Sequence, residues 1–298
     1  MKTECRYFKI AGITIQYQAD IPLSKKTFSP NLASFESGKP EKDMIRIEHH
    51  FGLPDFGGQE MGQKVFERQD LTIFRKPSEW IFFSNILTKE SKPLQQVAFV
   101  NPEYTHIKIF NERDDLFRDG DIPMLSFHQT DQLFITRVLA KRNGIMFHAS
   151  GVRMDGEGLL FLGHSEAGKS TMIKLLEGKA EILCDDRIIV RQEQKGFRIH
   201  GTWHHGEIPT VSPHSAPLKA IFLLEKASHN RLLPIADKMQ LISRLSDCTI
   251  KALKPLGTAD WWTQNLAIID ALVVKIPCRI LEFDRSGQVV DLLRNFKP

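Results

Sequence analysis

The stretch of sequence that decides the fold is Gly163-His164-Ser165-Glu166-Ala167-Gly168-Lys169-Ser170. It matches the phosphate-loop pattern, in which a glycine and four residues of any type precede Gly-Lys-Ser or Gly-Lys-Thr. The backbone N–H groups of such a loop, with the positive end of the helix that follows, form a concave anion site. We expect Lys169 to bind the β- and γ-phosphates of a nucleotide and the Ser170 hydroxyl to bind Mg²⁺. Residues 163–171, with Thr171 as the last, are therefore predicted to bind a nucleotide.

The sequence around the loop predicts the strand and the helix that a phosphate loop requires. Residues 158–162 are an apolar strand that runs directly into the loop, and residues 169–177 form a helix that Gly178 can end. Glu166 stands where many such loops have glycine, so we expect an unusual backbone angle there. Its carboxylate either points to solvent or helps to orient the metal or the acceptor.

Two adjacent aspartates follow the next apolar strand. The strand ends in Cys184-Asp185-Asp186-Arg187, and Asp185 comes fifteen residues after Ser170. Because consecutive residues at a strand end diverge, one aspartate can hold Mg²⁺ while the other accepts a proton from an attacking hydroxyl. A solvated turn is the alternative interpretation of the same pair.

Histidines supply two further candidates. Residues 145–148 predict a strand before the loop's own strand, and His148 at its end could lie beside the phosphates. The second candidate is the string His200-Gly201-Thr202-Trp203-His204-His205-Gly206-Glu207. It is open to three interpretations: a substrate-facing loop, an ordinary loop, or a zinc site formed by His200, His204, His205 and Glu207.

The patterning of the whole chain predicts an α/β protein whose first part is rich in β-structure. Apolar and polar residues alternate from Ala11 to Gln18, and short apolar runs recur at residues 71–74, 80–83, 97–100 and 106–110. Helical spacing begins near Gln129, and strands and helices alternate after it. We therefore predict a β-rich N-terminal domain over residues 1–125 and a nucleotide-binding domain over residues 126–298.

Composition narrows the classes of function. Among the 298 residues, 40 Lys and Arg stand against 36 Asp and Glu, a formal net charge of +4 without a long basic block. This balance argues against a dedicated nucleic-acid or membrane-surface protein. No apolar run approaches the roughly 18 residues of a membrane-spanning helix, and the first residues are not typical of a signal peptide. We expect a cytoplasmic protein in which Cys5, Cys184, Cys248 and Cys278 are thiols.

Three segments together resemble a known family. The stretch Phe147-His148-Ala149-Ser150-Gly151-Val152, the phosphate loop and Cys184-Asp185-Asp186-Arg187 resemble the C-terminal domain of HPr serine kinase/phosphorylase. They look more like that family's relatives, which include the kinases found with lasso-peptide gene clusters. The string of residues 201–207, followed by Ala216-Pro217-Leu218-Lys219-Ala220-Ile221-Phe222, is similar to a stretch of those relatives. The resemblance covers about residues 130–296 and extends more faintly to the β-rich N-terminal half.

The resemblance implies a fold shared with phosphoenolpyruvate carboxykinase, and phosphoryl transfer from ATP·Mg²⁺ to a serine hydroxyl. By position, Lys169 would bind phosphates, and Ser170 and Asp186 would hold the metal. Asp185 would be the base toward the acceptor, with His148 beside it. The glycine-rich segment by which true HPr kinases engage their protein substrate has no clear match here.

We therefore expect an ATP- and Mg²⁺-dependent kinase that acts on a hydroxyl, with a serine of a peptide, a protein or a small molecule as the acceptor. One alternative is a nucleotide-sensing module that transfers no phosphate. Another is carboxykinase-like chemistry on a small acid, which is disfavoured because no set of arginines for its carboxylates is recognisable. The sequence leaves open whether the donor is ATP, GTP or pyrophosphate and whether the chain forms a homo-oligomer.

Overall fold

The computed structural model describes residues 5–40, 42–58, 60–87, 92–126, 131–251, 253 and 256–297. Its contacts divide the chain into two compact units. The first unit comprises Met1–Val138 with Ala252–Leu256, and the second comprises Leu139–Lys251 with Gly257–Pro298. Both units combine strands with helices, so the chain is a mixed α/β protein. Within the described ranges, no helix is long and apolar enough to cross a membrane.

The first unit is built around one large sheet. Its elements are β1 (Cys5–Ile10), β2 (Ile13–Ala19), α1 (Pro30–Ala33), β3 (Glu36–Ser37), β4 (Met44–Phe51), β5 (Gln63–Arg68), β6 (Leu71–Arg75), β7 (Trp80–Leu87), β8 (Pro93–Val100), β9 (His106–Asn111), α2 (Asp115–Asp119) and most of α3 (Asp131–Ala140). Within the described residues, the strand order is β3-β1-β2-β4-β9-β8-β7-β6-β5. The pairs β2–β4 and β4–β9 are parallel, and the other neighbouring pairs are antiparallel. The four short apolar runs of the sequence lie in β6, β7, β8 and β9, so those strand predictions are confirmed.

The contact division falls within α3 rather than at the predicted boundary between residues 125 and 126. The reason is that the first turns of α3 pack into the first unit. The Phe134 ring contacts Phe82 at 5.8 Å between centroids, and the Arg137 guanidinium lies over the Tyr104 ring. Gln129, near which helical spacing begins in the sequence, lies outside the described residues.

The second unit holds the elements predicted around the phosphate loop. They are β10 (Gly144–Met154), β11 (Glu157–Leu162), α4 (Lys169–Leu176), β12 (Glu181–Cys184), β13 (Arg187–Glu193), β14 (Gly196–His200), β15 (Ser215–Lys226), β16 (Arg231–Pro234), α5 (Lys238–Asp247), α6 (Ala259–Lys275), β17 (Cys278–Phe283) and α7 (Val289–Arg294). The strands follow the order β11-β10-β13-β14-β15-β17-β16, with β12 beside β10 and a further pairing of β11 with β15.

Three parallel strands form the centre of this unit. Strand β15 pairs in parallel with both β11 and β17. Alternate residues of β11 enter different cores: Leu160 and Leu162 pack in the cluster that contains residues of α5 and α6, whereas Leu159 and Phe161 pack with residues of α4 and α7. Apolar residues on both faces are typical of a parallel sheet covered by helices on each side. The carboxyl ends of the three strands therefore meet at one edge.

Strand β10 corrects one detail of the sequence prediction. His148 was predicted to end a strand, but β10 continues through it to Met154. Its first half, to His148, pairs with β13, and the residues from Ala149 onward pair with β11. The change of partner occurs at His148, which places this histidine beside Arg187, the first residue of β13.

Candidate functional site

Residues 163–170, the segment that matches the phosphate-loop pattern, connect β11 to α4 and depend on two glycines. Gly168 has φ 101°, a left-handed conformation that favours glycine, and a Cβ at this position would lie 2.7 Å from Cζ of Phe283. A Cβ on Gly163 would lie 2.4 Å from the Ala167 side chain. The loop can therefore close this tightly only with glycine at both positions.

Lys169 lies inside the loop rather than extending to solvent. The residue is 8% exposed, and its Nζ donates to the carbonyl oxygens of Gly163 at 3.0 Å and His164 at 3.2 Å. Burial lowers the pKa of Lys169, and the nearby Asp185 and Asp186 carboxylates offset part of that effect. The ammonium group is thus held against the loop. This is the position expected of a group that binds phosphates at the loop.

Glu166 has the unusual backbone angle that the sequence predicts. Its φ is 69°, in the left-handed region that few residues other than glycine adopt. The side chain is exposed and makes no hydrogen bond with any described residue. Of the two orientations expected for this carboxylate, the structure has the one that faces solvent.

Asp185 points inward and meets the first turn of α4. The residue is 3% exposed. Its Oδ2 accepts hydrogen bonds from the Ser170 hydroxyl and from the Ile208 N–H, each at 3.2 Å. The Ser150 hydroxyl donates to the Asp185 carbonyl oxygen at 2.6 Å and lies 3.2 Å from Oδ1. Sequence reasoning assigned no role to Ser150 or Ile208, although Ser150 lies within the stretch that carries the family resemblance.

Asp186 turns the other way. Its Oδ1 lies 2.8 Å from Nδ1 of His148, and Arg187 donates to its Oδ2. Burial raises the pKa of Asp186, but the hydrogen bond with His148 and the charge of Arg187 outweigh it, so the pKa is lowered. Asp186 therefore stays ionised at neutral pH.

The Nδ1 atom of His148 lies within hydrogen-bond distance of two neighbours, a carboxylate and a guanidinium. Its Nδ1 is 2.8 Å from Asp186 Oδ1 and also 2.8 Å from Nη1 of Arg187. When Nδ1 carries a proton it donates to the carboxylate, and when it does not, it accepts from the guanidinium. Nδ1 therefore has a hydrogen-bond partner in either tautomer of the ring.

The two aspartates thus diverge, as expected at a strand end, but their neighbours differ from the expected ones. By position, the family resemblance implied that Ser170 pairs with Asp186 and that His148 lies beside Asp185. The structure places Ser170 beside Asp185 and His148 beside Asp186. Ser170 offers a hydroxyl oxygen and Asp185 a carboxylate oxygen, and Mg²⁺ prefers oxygen ligands. Mg²⁺ commonly takes only one or two ligands from the protein. This pair fits that ion.

The segment 201–208 lies against both aspartates. A Cβ on Gly206 would lie 3.1 Å from Asp185 Oδ2 and 3.1 Å from Asp186 Cβ. A Cβ on Gly201 would lie 1.9 Å from the Ser212 carbonyl oxygen, which fixes glycine there. Cys184 donates its thiol proton to the His204 carbonyl oxygen at 2.6 Å, which ties the segment to the strand before the aspartates.

The histidines of this segment do not form the zinc site that the sequence left open. His200 lies 3.3 Å from the Glu193 carboxylate, and the His205 ring contacts its neighbour's carbonyl oxygen. Glu207 lies 3.9 Å from the ammonium group of Lys174. Among the residues that the structure describes, no group of three or more His, Cys, Asp or Glu side chains is arranged to hold a metal ion.

Comparisons with known proteins assign the chain to a family. No curated protein matches it. A solved structure of the HPr(Ser) kinase/phosphatase from Coxiella burnetii is 14% identical in sequence, and the match covers 50% of this chain and 94% of that chain with a TM-score of 0.30. The family model described as SynChlorMet cassette protein ScmC matches residues 115–294, which is more than half of the chain. The chain therefore belongs to the ScmC family.

Proposed function

We propose that this protein is an ATP-dependent kinase that transfers a phosphoryl group to a hydroxyl, with a serine of a peptide, a protein or a small molecule as the acceptor. One observation carries the proposal. Beside a phosphate loop, Asp185 approaches the Ser170 hydroxyl at 3.2 Å, whereas the adjacent Asp186 faces His148 at 2.8 Å. A nucleotide sensor needs a carboxylate for the metal but no second one directed at an acceptor, so the divergence supports transfer.

The first set of residues would bind the donor. The loop N–H groups and Lys169 would bind phosphate oxygens, and Ser170 and Asp185 would hold Mg²⁺. Bound ATP·Mg²⁺ would supply the transferable phosphoryl group with part of its charge neutralised. This assignment exchanges the roles that the family resemblance implied for the two aspartates, because the Ser170 hydroxyl lies beside Asp185.

The second set would act on the acceptor. Asp186 would accept the proton of the attacking hydroxyl, and its lowered pKa keeps it ionised and able to accept. Arg187 and His148 contact its two oxygens and fix its orientation. Such a weak base is sufficient because catalysis of phosphoryl transfer rests mainly on positioning and on charge stabilisation.

A transfer assay tests this function. The purified chain is incubated with Mg²⁺ and γ-labelled ATP, together with a randomised library of serine peptides and a panel of small alcohols. We expect labelled phosphoserine or phosphoester products, and Asp186→Asn lowers their rate of formation about 10²–10⁴-fold, the usual contribution of a general base. The affinity of Asp186→Asn for ATP·Mg²⁺, measured by isothermal titration, stays within a few-fold of the parent's.

Two results would favour the other candidate functions. If ATP·Mg²⁺ binds but no hydroxyl in the library or the panel is phosphorylated, the nucleotide-sensing function is favoured. If small keto acids or carboxylic acids are converted while alcohols are not, the carboxykinase-like function is correct. Equal transfer rates in Asp186→Asn and the parent would show that Asp186 is not the base.

A further inference from the structure

A cavity of about 280 Å³ opens at the edge of the sheet where the phosphate loop lies. Its lining comes from the carboxyl ends of the three parallel strands or the segments that follow them: Thr171, Lys226, Ala227, Phe283, Asp284 and Arg285. Ligands of open α/β sheets bind in the crevice outside the carboxyl ends of the strands. The volume is near the lower end of the roughly 300–1,000 Å³ of small-molecule sites, so it suits a group the size of one nucleoside.

The cavity and the phosphate loop share a wall. A Cβ placed on Gly168 would lie 2.7 Å from Cζ of Phe283 and 3.7 Å from Cε of Lys226, so both side chains lie against the loop. Thr171 follows Ser170 directly in α4 and lines the cavity. A ligand whose phosphates bind the loop can therefore extend its remaining part into this cavity.

Asp284 is held through one of its two carboxylate oxygens. Its Oδ1 accepts three hydrogen bonds, from Asn230 Nδ2 at 2.9 Å, the Ser286 N–H at 2.9 Å and the Ser286 hydroxyl at 2.6 Å. The two bonds from Ser286 lead the effects that lower the pKa of Asp284, so it is ionised at neutral pH. Its Oδ2 accepts no hydrogen bond within the part of the chain that the structure describes. This oxygen can accept from ribose hydroxyls, which carboxylates bind at the same edge of other α/β sheets.

Two cations border the same cavity. Lys226 and Arg285 are exposed, and neither forms an ion pair with a residue in the described ranges. A guanidinium stacks on aromatic faces, which a nucleobase offers, and an ammonium beside Gly168 is suited to phosphate oxygens. Ala227 and Phe283 add apolar surface. The cavity thus combines groups for a base, a ribose and phosphate charge.

We infer that the nucleoside of the phosphoryl donor binds in the cavity between Thr171 and Arg285. The inference rests on the proposed function, because it takes the loop as the site of the phosphates. Asp284 binds the ribose hydroxyls, Arg285 covers the base, and Lys226 lies at the junction with the phosphates.

Titration of the full chain separates the nucleoside from the phosphates. ATP, GTP and inorganic tripolyphosphate are each titrated into the parent and into Asp284→Asn in the presence of Mg²⁺. We expect the better of the two nucleotides to bind more tightly than tripolyphosphate. Asp284→Asn weakens nucleotide binding about 10- to 100-fold, because hydrogen bonds to a charged group are lost, and leaves tripolyphosphate binding unchanged or slightly tighter.

Two further variants keep the test independent of folding. Asp291→Asn removes the same charge from an exposed position of α7 and should change neither affinity. Ala227→Leu fills the cavity and should weaken nucleotide binding while tripolyphosphate still binds. If nucleotide and tripolyphosphate bind alike and Asp284→Asn changes neither, the inference is overturned while the phosphate site stands. If none of the three compounds binds the parent, the proposed function fails as well.

Discussion

The two units differ in where their buried polar side chains lie and in what those side chains contact. In the first unit, Gln96 donates to Asn111 at 2.7 Å, Asn111 lies 3.3 Å from His49 Nδ1, and His49 Nε2 lies 2.9 Å from the Leu125 carbonyl oxygen. Each of the three side chains donates to the next group, and the chain of hydrogen bonds ends at a backbone carbonyl oxygen. In the second unit, Lys169 and Asp185 are also buried, but Lys169 is the first residue of α4 and Asp185 directly follows the end of β12.

The buried polar groups of the first unit bond to one another inside the sheet, whereas those proposed to act in the second unit lie beside the loop at residues 163–170. Asn111 in the first unit is a strand residue whose side chain donates to backbone and to His49. In the second unit, Ser170 and Asp185 carry oxygens suited to a cation, and they adjoin a loop suited to anions. Changes in the first unit should therefore alter stability, and changes in the second should alter binding and transfer.

The largest effect is expected from Lys169. Lys169→Ala removes the side-chain charge that lies within the loop, so phosphoryl transfer should fall by several orders of magnitude, comparable to the loss of a main electrostatic contribution. Nucleotide should also no longer raise the melting temperature, since that shift requires binding to the native state. The control is Lys174→Ala, an exposed lysine of the same helix. Full transfer activity in folded Lys169→Ala would refute the phosphate-loop assignment.

The first unit should respond to acid through His49. Burial lowers the pKa of His49 from 6.5 to about 4. The unfolded chain therefore binds this proton first, and stability is lost as the pH falls from above 6.5 toward about 4. From pH 7 to pH 5 this histidine should cost about 2 kcal/mol of unfolding free energy. Hydrogen exchange of β4 and β9 amides measures it.

His49→Gln supplies the comparison for that experiment, because it keeps a donor and an acceptor but does not titrate. Its loss of stability between pH 7 and pH 5 should be smaller than the parent's by that amount. The affinity for ATP·Mg²⁺ at pH 7 should be unchanged in this variant. Identical pH dependence in the two proteins would show that His49 is not the acid-sensitive group.

A smaller effect is expected from Gly206. A Cβ there is 3.1 Å from Asp185 Oδ2, so Gly206→Ala must displace the carboxylate or the segment by a few tenths of an ångström. We expect Mg²⁺-dependent nucleotide affinity to fall a few-fold while stability changes by roughly 1 kcal/mol or less. Gly38→Ala in the first unit meets no atom within 4 Å and serves as the control. If the two variants bind nucleotide with equal Mg²⁺-dependent affinity, segment 201–208 does not belong to the site.

The sequence predicted those features that depend on residues close together in the chain. The loop, its flanking strand and helix, and the backbone angle of Glu166 follow from a local pattern. Which aspartate faces Ser170 could not be predicted in this way, because the orientation of Asp185 depends on Ser150 from β10 and on the Ile208 N–H.

The continuation of β10 and the cavity beside the loop also could not be predicted from the sequence, because both depend on residues that are far apart in the chain. The run of apolar residues up to Phe147 predicts a strand, but the continuation of β10 past His148 depends on pairing with β11. The cavity beside the loop is assembled from the ends of β15 and β17, and Lys226 and Asp284 belong to no recognisable motif. A parallel sheet brings such distant residues together only once its strand order is known.

The central claim is that the two adjacent aspartates have different roles: Asp185 binds the metal, and Asp186 accepts the proton of the acceptor hydroxyl. Isothermal titration of ATP at a series of Mg²⁺ concentrations tests it most directly, in the parent, Asp185→Asn and Asp186→Asn. We predict that Asp185→Asn loses most of the gain in ATP affinity that Mg²⁺ provides, because a neutral amide is a poorer ligand for a hard cation. Asp186→Asn should keep that gain within a few-fold. The reverse result, with the Mg²⁺ effect lost in Asp186→Asn and kept in Asp185→Asn, would contradict the account.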